Sequence, residues 1–219
     1  SSTTASAVAN TQRQPFDATT AIGRALESDQ PYVISVIGDS TGNAPDEWVH
    51  LVMRRVAESY RRTITIHDWD TPSNAYATDT VYGSGGAPVT VWNGSGAGKS
   101  AAYSLDHFPQ LAPDPVNLTI ISHGHNSPED EPFDIPQLVD RAYDHTLPGG
   151  GVVVILQNPR LDTGAQARAD VVEQLRQTYS DPSTGVFVAD VNAAFKAAPD
   201  LAPLLRPDGI HPNQQGSRV

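Results

Sequence analysis

Four short blocks of this 219-residue sequence hold side chains that could together act on an acyl group. They are "GDST" (38–41), "NGSGAGKS" (93–100), "HGHNS" (123–127) and "RPDGIHPNQQG" (206–216). Between them they offer a serine, glycines that free the backbone, an asparagine amide and an Asp-His pair three residues apart, which is the inventory of an acyl-transfer site. A serine hydroxyl attacks poorly until an imidazole takes its proton. His211 is the candidate base, because an unperturbed imidazole titrates at about pH 6.5 and stays mostly neutral at neutral pH. Asp208 is the candidate partner that holds the other ring nitrogen as N–H and stabilises the imidazolium. The oxyanion that develops on the substrate needs preorganised donors, each worth roughly 3 to 4 kcal/mol in comparable sites. The backbone N–H groups of Ser40 and Gly98 and the side-chain amide of Asn126 are the candidates.

Each of these residues also has a plainer use. Ser40 could cap a helix after a strand, and Asp39 is expected to support the turn rather than do chemistry. Asp208 and His211 alone would read as a turn with a surface histidine, and Asn126 as a turn residue in a proline-rich loop. Gly94 and Gly96 compete with Gly98 for the donor role, and glycines also serve tight loops by permitting positive φ. The glycine block raises a second possibility, a phosphate-binding loop, with "VFVAD" ending at Asp190 as an imitation of a magnesium-holding strand. The pattern G-x-x-x-x-G-K-[ST] needs a glycine where Asn93 stands, so the match fails by one residue. That reading also leaves "GDST" and "DGIHP" unexplained. His123 and His125 form an H-x-H pair with two potential metal ligands and no third; "HDWD" (67–70) is equally weak. No metal and no organic cofactor are expected. Trp92 and Trp69 could stack on a sugar ring, but core packing is the stronger expectation for both.

Bringing these blocks together requires a scaffold, and apolar runs alternating with helical patterns describe one. Strands are expected at 32–38, 63–69, 88–93, 117–122 and 151–158, with 185–190 as a sixth strand or an extended segment. Most are apolar nearly throughout, as strands covered on both faces are. A helix is expected over 45–62, with Pro45 and two acids in its first turn and arginines in its last. Its apolar face is read as Trp48, Val52 and Val56, with Val49, Met53 and Tyr60 alongside. A second helix is expected over 162–180 through Val171, Val172, Leu175 and Tyr179. Shorter ones are expected after Lys99-Ser100, near 134–145, and before the first strand through Ala18, Ala21, Ile22, Ala25 and Leu26, ended by Pro31. The segments "PSNAYATDTVYGSGGA" (72–87) and "HNSPEDEPFD" (125–134) read as loops. The expected fold is a three-layer α/β/α sandwich around a mostly parallel five-stranded sheet, with ligands outside the carboxyl ends of the strands. Residues 1–16 read as a linker or extended N-terminal segment, and 17–219 as one domain.

"GDST", the N-x-x-x-x-G loop, "GHN" and "DGIHP", in this order, resemble the SGNH (GDSL-type) hydrolase family. The resemblance spans Gly38 to Pro212 and implies a flavodoxin-like α/β/α fold and a serine esterase. It puts the nucleophile on Ser40, the base on His211 with Asp208 as its partner, and the oxyanion donors on Ser40, Gly98 and Asn126. Asn93, five residues before Gly98, favours that glycine over Gly96 and Gly94. The chain departs from the family in having Ser127 where Asp usually follows G-x-N, and in stopping at Val219 where relatives usually continue a helix. "GDST" in place of GDSL, and "GHN", resemble the carbohydrate-esterase branch, which implies O-acetyl groups on carbohydrate as substrate.

The composition narrows the alternatives. A net charge of -11 argues against a phosphate-backbone partner, and no apolar run reaches the roughly 18 to 20 residues needed to span a bilayer. Cysteine is absent, which excludes disulfides and thiolate-bound metals. The Ser/Thr/Ala-rich opening lacks an initiator Met and shows no signal peptide. It is consistent with a processed, secreted chain or with a domain of a larger extracellular or virion-attached protein. The expected partner is a small ester or an acetylated glycan. Transfer of the acyl group to an alcohol, and a non-catalytic carbohydrate-binding module on the same fold, are the alternatives.

Overall fold

The structure, a computed structural model, describes residues 12–127 and 134–219. The N-terminal residues 1–11 of the segment read as a linker, and 128–133 of the second segment read as a loop, lie outside the described residues. The strands are β1 (Tyr32–Gly38), β2 (Ile64–Asp70), β3 (Ala75–Tyr82), β4 (Val89–Ser95), β5 (Val116–Ser122), β6 (Thr146–Ile155) and β7 (Val186–Ala189). The α-helices are α1 (Ala18–Glu27), α2 (Trp48–Tyr60), α3 (Ala101–Asp106), α4 (Phe108–Leu111), α5 (Asp134–Asp144), α6 (Ala165–Thr178) and α7 (Val191–Lys196).

The strands form one sheet in the order β3-β2-β4-β1-β5-β6-β7, parallel except for β3. Among the described residues the sheet has seven strands against the expected five, with the segment at 185–190 forming β7. Within the sheet, β4-β1-β5-β6-β7 run in the 2-1-3-4-5 order of flavodoxin-like folds, and β2 with β3 extends the β4 edge. The parallel strands are apolar on both sides because helices cover both. Ile34, Val36, Ile64, Ile66, Val89 and Val91 pack with α1 and α2, while Ile37, Ile121, Val152 and Val154 pack with α3 to α6. Phe195, Leu204 and Leu205 form a small third cluster near the C-terminus.

Two expectations are corrected. Residues 75–82 are a strand, not a loop: β3 pairs antiparallel with β2. Helix α2 begins at Trp48 and buries Val49, His50, Met53 and Ala57. Val52, placed on the apolar face by the spacing, is 42% exposed. The buried stripe is rotated by one residue because the polar His50 belongs to it. At the N-terminus, Arg13 donates to Asp140 at 2.8 Å and its N–H to Ser183 O at 2.7 Å, so residues 12–16 are docked rather than loose.

Candidate active site

Strand β1 delivers Asp39 and Ser40 at its carboxyl end, between β4 and β5. Gly38 allows this crowding, since a Cβ there would stand 2.8 Å from Ser122 O of β5. Asp39 is 1% exposed and braces the turn. Its Oδ1 accepts from Thr41 N–H at 3.0 Å and Thr41 Oγ1 at 2.9 Å, and its Oδ2 accepts from Gln157 Nε2 at 2.9 Å. Asn93, also 1% exposed, holds the next residues: its Nδ2 donates to Gly42 O at 3.0 Å and to Asp68 Oδ1 at 2.8 Å. Asp68 in turn faces His50 Nε2 at 3.0 Å, and His50 Nδ1 faces Tyr82 Oη at 2.9 Å. The Ser40 turn is thus fastened to β2, β3 and α2 by a chain of polar side chains.

The C-terminal block folds back to meet it. Arg206 N–H donates to His211 O at 2.7 Å, and Leu205 pairs with Pro212 in an antiparallel bridge, closing residues 205–212 into a tight loop. Asp208 Oδ1 accepts from the N–H groups of Ile210 at 2.8 Å and His211 at 3.1 Å. Its Oδ2 lies 2.6 Å from His211 Nδ1, and His211 Nε2 lies 2.6 Å from Ser40 Oγ. A carboxylate cannot donate, so Nδ1 carries the hydrogen and Nε2 presents its lone pair to the serine hydroxyl. Partial burial works to raise the Asp208 pKa. The hydrogen bonds from the His211 ring and from the N–H groups of Ile210 and His211 outweigh it and bring the pKa down to about 2.

The glycine loop leaves β4 beside this pair. Gly96 is excluded as an oxyanion donor because its N–H donates to Gly38 O at 3.0 Å. Gly94 lies inside β4, opposite Ile37. Gly98 is exposed with φ +71°, a conformation open to glycine. The N–H groups of Ser40 and Gly98 make no hydrogen bond among the described residues. Asn126 Nδ2 donates to Lys99 O at 3.1 Å, next to Gly98, which leaves its second amide hydrogen. Ser40, Asp208, His211, Gly98 and Asn126 therefore converge on one rim of the sheet.

The competing motifs resolve into packing. Lys99 Nζ lies over the Tyr103 ring at 4.8 Å, and Asp190 caps α7 through Ala193 N–H. His123 Nε2 meets Ser104 Oγ at 2.8 Å and His125 Nε2 meets Asn158 Oδ1 at 3.2 Å, both deeply buried. Burial lowers the pKa of each, that of His123 to about 4 against a smaller opposing pull from Asp39. Trp69 is buried, and Trp92 is covered by His67 at 4.3 Å and Tyr76 at 4.9 Å between ring centres, so neither is a free sugar platform. Sequence reasoning missed Gln157, Asn158, Glu47 and His50. Glu47 is 4% exposed, accepts from Ala44 N–H at 2.8 Å, and faces Arg206 Nη2 at 3.4 Å, joining the serine turn to the histidine loop. The one available signal was the pair of amides closing the apolar run "GVVVILQN".

A cavity of about 590 Å³ lies between α2 and the last residues, walled by Trp48, Leu51, Val191, Phe195 and Val219. Its lining includes Thr41 and Pro212, which directly follow Ser40 and His211 in the chain, but not Ser40, Asp208 or His211 themselves. Asp208 lines a separate hollow with Leu161, Arg206 and Gly209.

No family model matches the sequence, and no curated protein sequence matches it either. Solved structures do match the fold. A two-domain esterase (CEX) active on acetylated mannans superposes with a TM-score of 0.63 at 14% identity, over 95% of this chain and 51% of its own. The chain thus spans about half the length of that protein. A member of the lipolytic protein G-D-S-L family from Veillonella parvula gives a TM-score of 0.57 at 16% identity, over 86% of this chain and 92% of its own. Axe2, an acetylxylan esterase from Geobacillus stearothermophilus crystallised as a catalytic mutant, gives 0.55 at 13% identity, over 85% and 89%. The chain has the SGNH-type hydrolase fold.

Proposed function

We propose that this protein is a serine esterase that removes short acyl groups, with O-acetyl groups on carbohydrate as the substrate class. The observation that carries the reading is the unbroken run Ser40 Oγ, His211, Asp208, with 2.6 Å at each link. In the proposed reaction Ser40 Oγ attacks the ester carbonyl carbon as its proton passes to His211 Nε2. The carbonyl electron pair moves onto oxygen, where the N–H groups of Ser40 and Gly98 and the Asn126 amide receive it. The oxyanion then collapses, the C–O bond to the alcohol breaks, and His211 Nε2–H protonates the departing oxygen. Water repeats the sequence on the acyl-Ser40 ester, with His211 again as base, and releases the carboxylic acid. Asp208 keeps Nδ1 protonated throughout and stabilises the imidazolium.

Three features support a short acyl group on a bulky alcohol. The cavity beside α2 is not lined by any of the three reacting residues, Gly98 is exposed, and the Asp208 side chain is 41% exposed. The GDST and GHN blocks, and the likeness to an esterase active on acetylated mannans, favour carbohydrate. The test is hydrolysis of p-nitrophenyl acetate by the native chain and by Ser40→Ala, followed by p-nitrophenyl esters of increasing chain length beside acetylated polysaccharides. Turnover that survives in Ser40→Ala would end the proposal; preference for long acyl chains would end the substrate assignment.

A further inference from the structure

Two amides stand where the three loops of the site meet. Gln157 and Asn158 follow β6 by one residue, and their main chain is held from outside the site. Leu156 N–H donates to Ala189 O at 3.0 Å, Asn192 N–H to Leu156 O at 2.9 Å, and the Asn192 side-chain amide to Gln157 O at 2.9 Å. The side chains, 4% and 5% exposed, are spent on the loops. Gln157 Nε2 donates to Asp39 Oδ2 at 2.9 Å, to Ser122 O at 3.1 Å and to Ser122 Oγ at 3.2 Å, while its Oε1 accepts from His125 N–H at 2.9 Å. Asn158 Oδ1 accepts from His125 Nε2–H at 3.2 Å, and its Nδ2 donates to Ile210 O at 2.9 Å and Pro159 O at 3.0 Å.

Three of these partners share a position in the chain. Asp39, His125 and Ile210 each immediately precede a residue of the proposed site: Ser40, Asn126 and His211. We infer that Gln157 and Asn158 are the positioning residues of this site, setting nucleophile, oxyanion amide and base at their mutual distances from one rigid strand end. The inference rests on the esterase reading. An amide suits the task because it donates and accepts in fixed directions and carries no charge toward the buried Asp39 carboxylate. Apolar replacement of Gln157 would leave Asp39 Oδ2 and the His125 N–H short of partners in a buried place, and the loops would relax to recover them. Misplacement by about 1 Å is enough to cost roughly 100-fold in rate.

The experiment compares the native chain with Gln157→Met, Gln157→Glu and Asn158→Asp for p-nitrophenyl acetate hydrolysis, for Ser40 labelling by a fluorophosphonate, and for melting temperature. Gln157→Glu keeps the shape but removes both Nε2 donors; Asn158→Asp keeps the acceptor toward His125 and removes the donor toward Ile210 O. Leu175→Ala, a core truncation in α6, controls for loss of stability alone. Each amide variant is expected to lose about 30-fold or more in kcat with KM within about threefold, and labelling should slow in parallel. Leu175→Ala should melt earlier yet keep kcat within about twofold. Gln157→Met in an Asn126→Ala background should cost less than it does in the native chain, because one loop it positions no longer contributes. Folded amide variants with near-native kcat would overturn the inference, as would an equal kcat loss in Leu175→Ala. If Gln157→Met does not fold, the other two variants carry the same thresholds. A native chain inert to both ester and fluorophosphonate would overturn the esterase reading and this one with it. An active native chain with unaffected variants overturns this one alone.

Discussion

At Ser40 the deciding quantity is where one hydrogen sits. The Asp208 carboxylate fixes the hydrogen on His211 Nδ1, so the Nε2 lone pair is available to the serine. Asp208→Asn would offer an amide N–H to Nδ1 and favour the opposite tautomer; kcat is expected to fall by up to about 10⁴-fold with KM little changed. Asn126→Ala removes one proposed oxyanion donor and should cost about 10² to 10³ in kcat, read from the same assay. The pKa of about 2 at Asp208 has a consequence for pH dependence. The carboxylate stays ionised well below the ordinary carboxylate range, so its titration should leave no mark on kcat/KM across that range. A carboxylate inflection between about pH 4 and 6 in a pH–rate profile would contradict this. These residue types were legible from four short blocks because each chemical role admits few side chains. The supporting Gln157 and Asn158 were not, because a buried amide has no sequence signature until its partners are known.

At the scale of elements, the site depends on how closely β1 and β5 approach. Gly38→Ala would set a Cβ at 2.8 Å from Ser122 O, a backbone atom that cannot swing aside. The carboxyl ends of the two strands should separate where Ser40 leaves, with a melting temperature lowered by several degrees and kcat reduced together. The buried strands were readable from their apolar runs, and β1 falls on the expected 32–38. Strand β3 was not readable in the same way. It lies at the sheet edge, most of its residues are exposed, and it carries Thr and Tyr where the inner strands carry Ile and Val. Its partner β2 has an irregular register between Asp68 and Trp69, which breaks the alternation that would have signalled a pair. In α2 the spacing favours Trp48, Val52 and Val56, whereas the buried stripe is Val49, His50, Met53 and Ala57, with the polar His50 fully buried. Its partners Asp68 and Tyr82 belong to strands 18 and 32 residues away.

At the scale of the whole molecule, acid should weaken the fold as well as the reaction. Burial holds the folded-state pKa of His123 and His125 below the ordinary histidine value, His123 at about 4. The unfolded chain therefore binds protons that the folded chain refuses. The stability these neutral rings represent is present above about pH 6.5 and is lost as pH falls toward 4. For His123 alone the loss is on the order of 3 kcal/mol. Urea midpoints at pH 7.5 and 5 should show it, and His123→Gln should flatten the difference; identical midpoints at both pH values would refute the account.

Composition and pattern, by themselves, pointed to an α/β sandwich, to four blocks of candidate chemistry, three of them after strands, and to Ser40, His211 and Asp208 as candidate nucleophile, base and partner carboxylate. Those properties are local, since an apolar run or a D-x-x-H spacing acts through neighbours along the chain. Tertiary structure decided the rest. It consumed the N–H of Gly96 and left that of Gly98, buried His123 and His125 as packing groups, covered Trp92, and tied three loops to two amides. Each of those outcomes depends on atoms far apart in sequence, so each could be read only after the sheet order had brought them together.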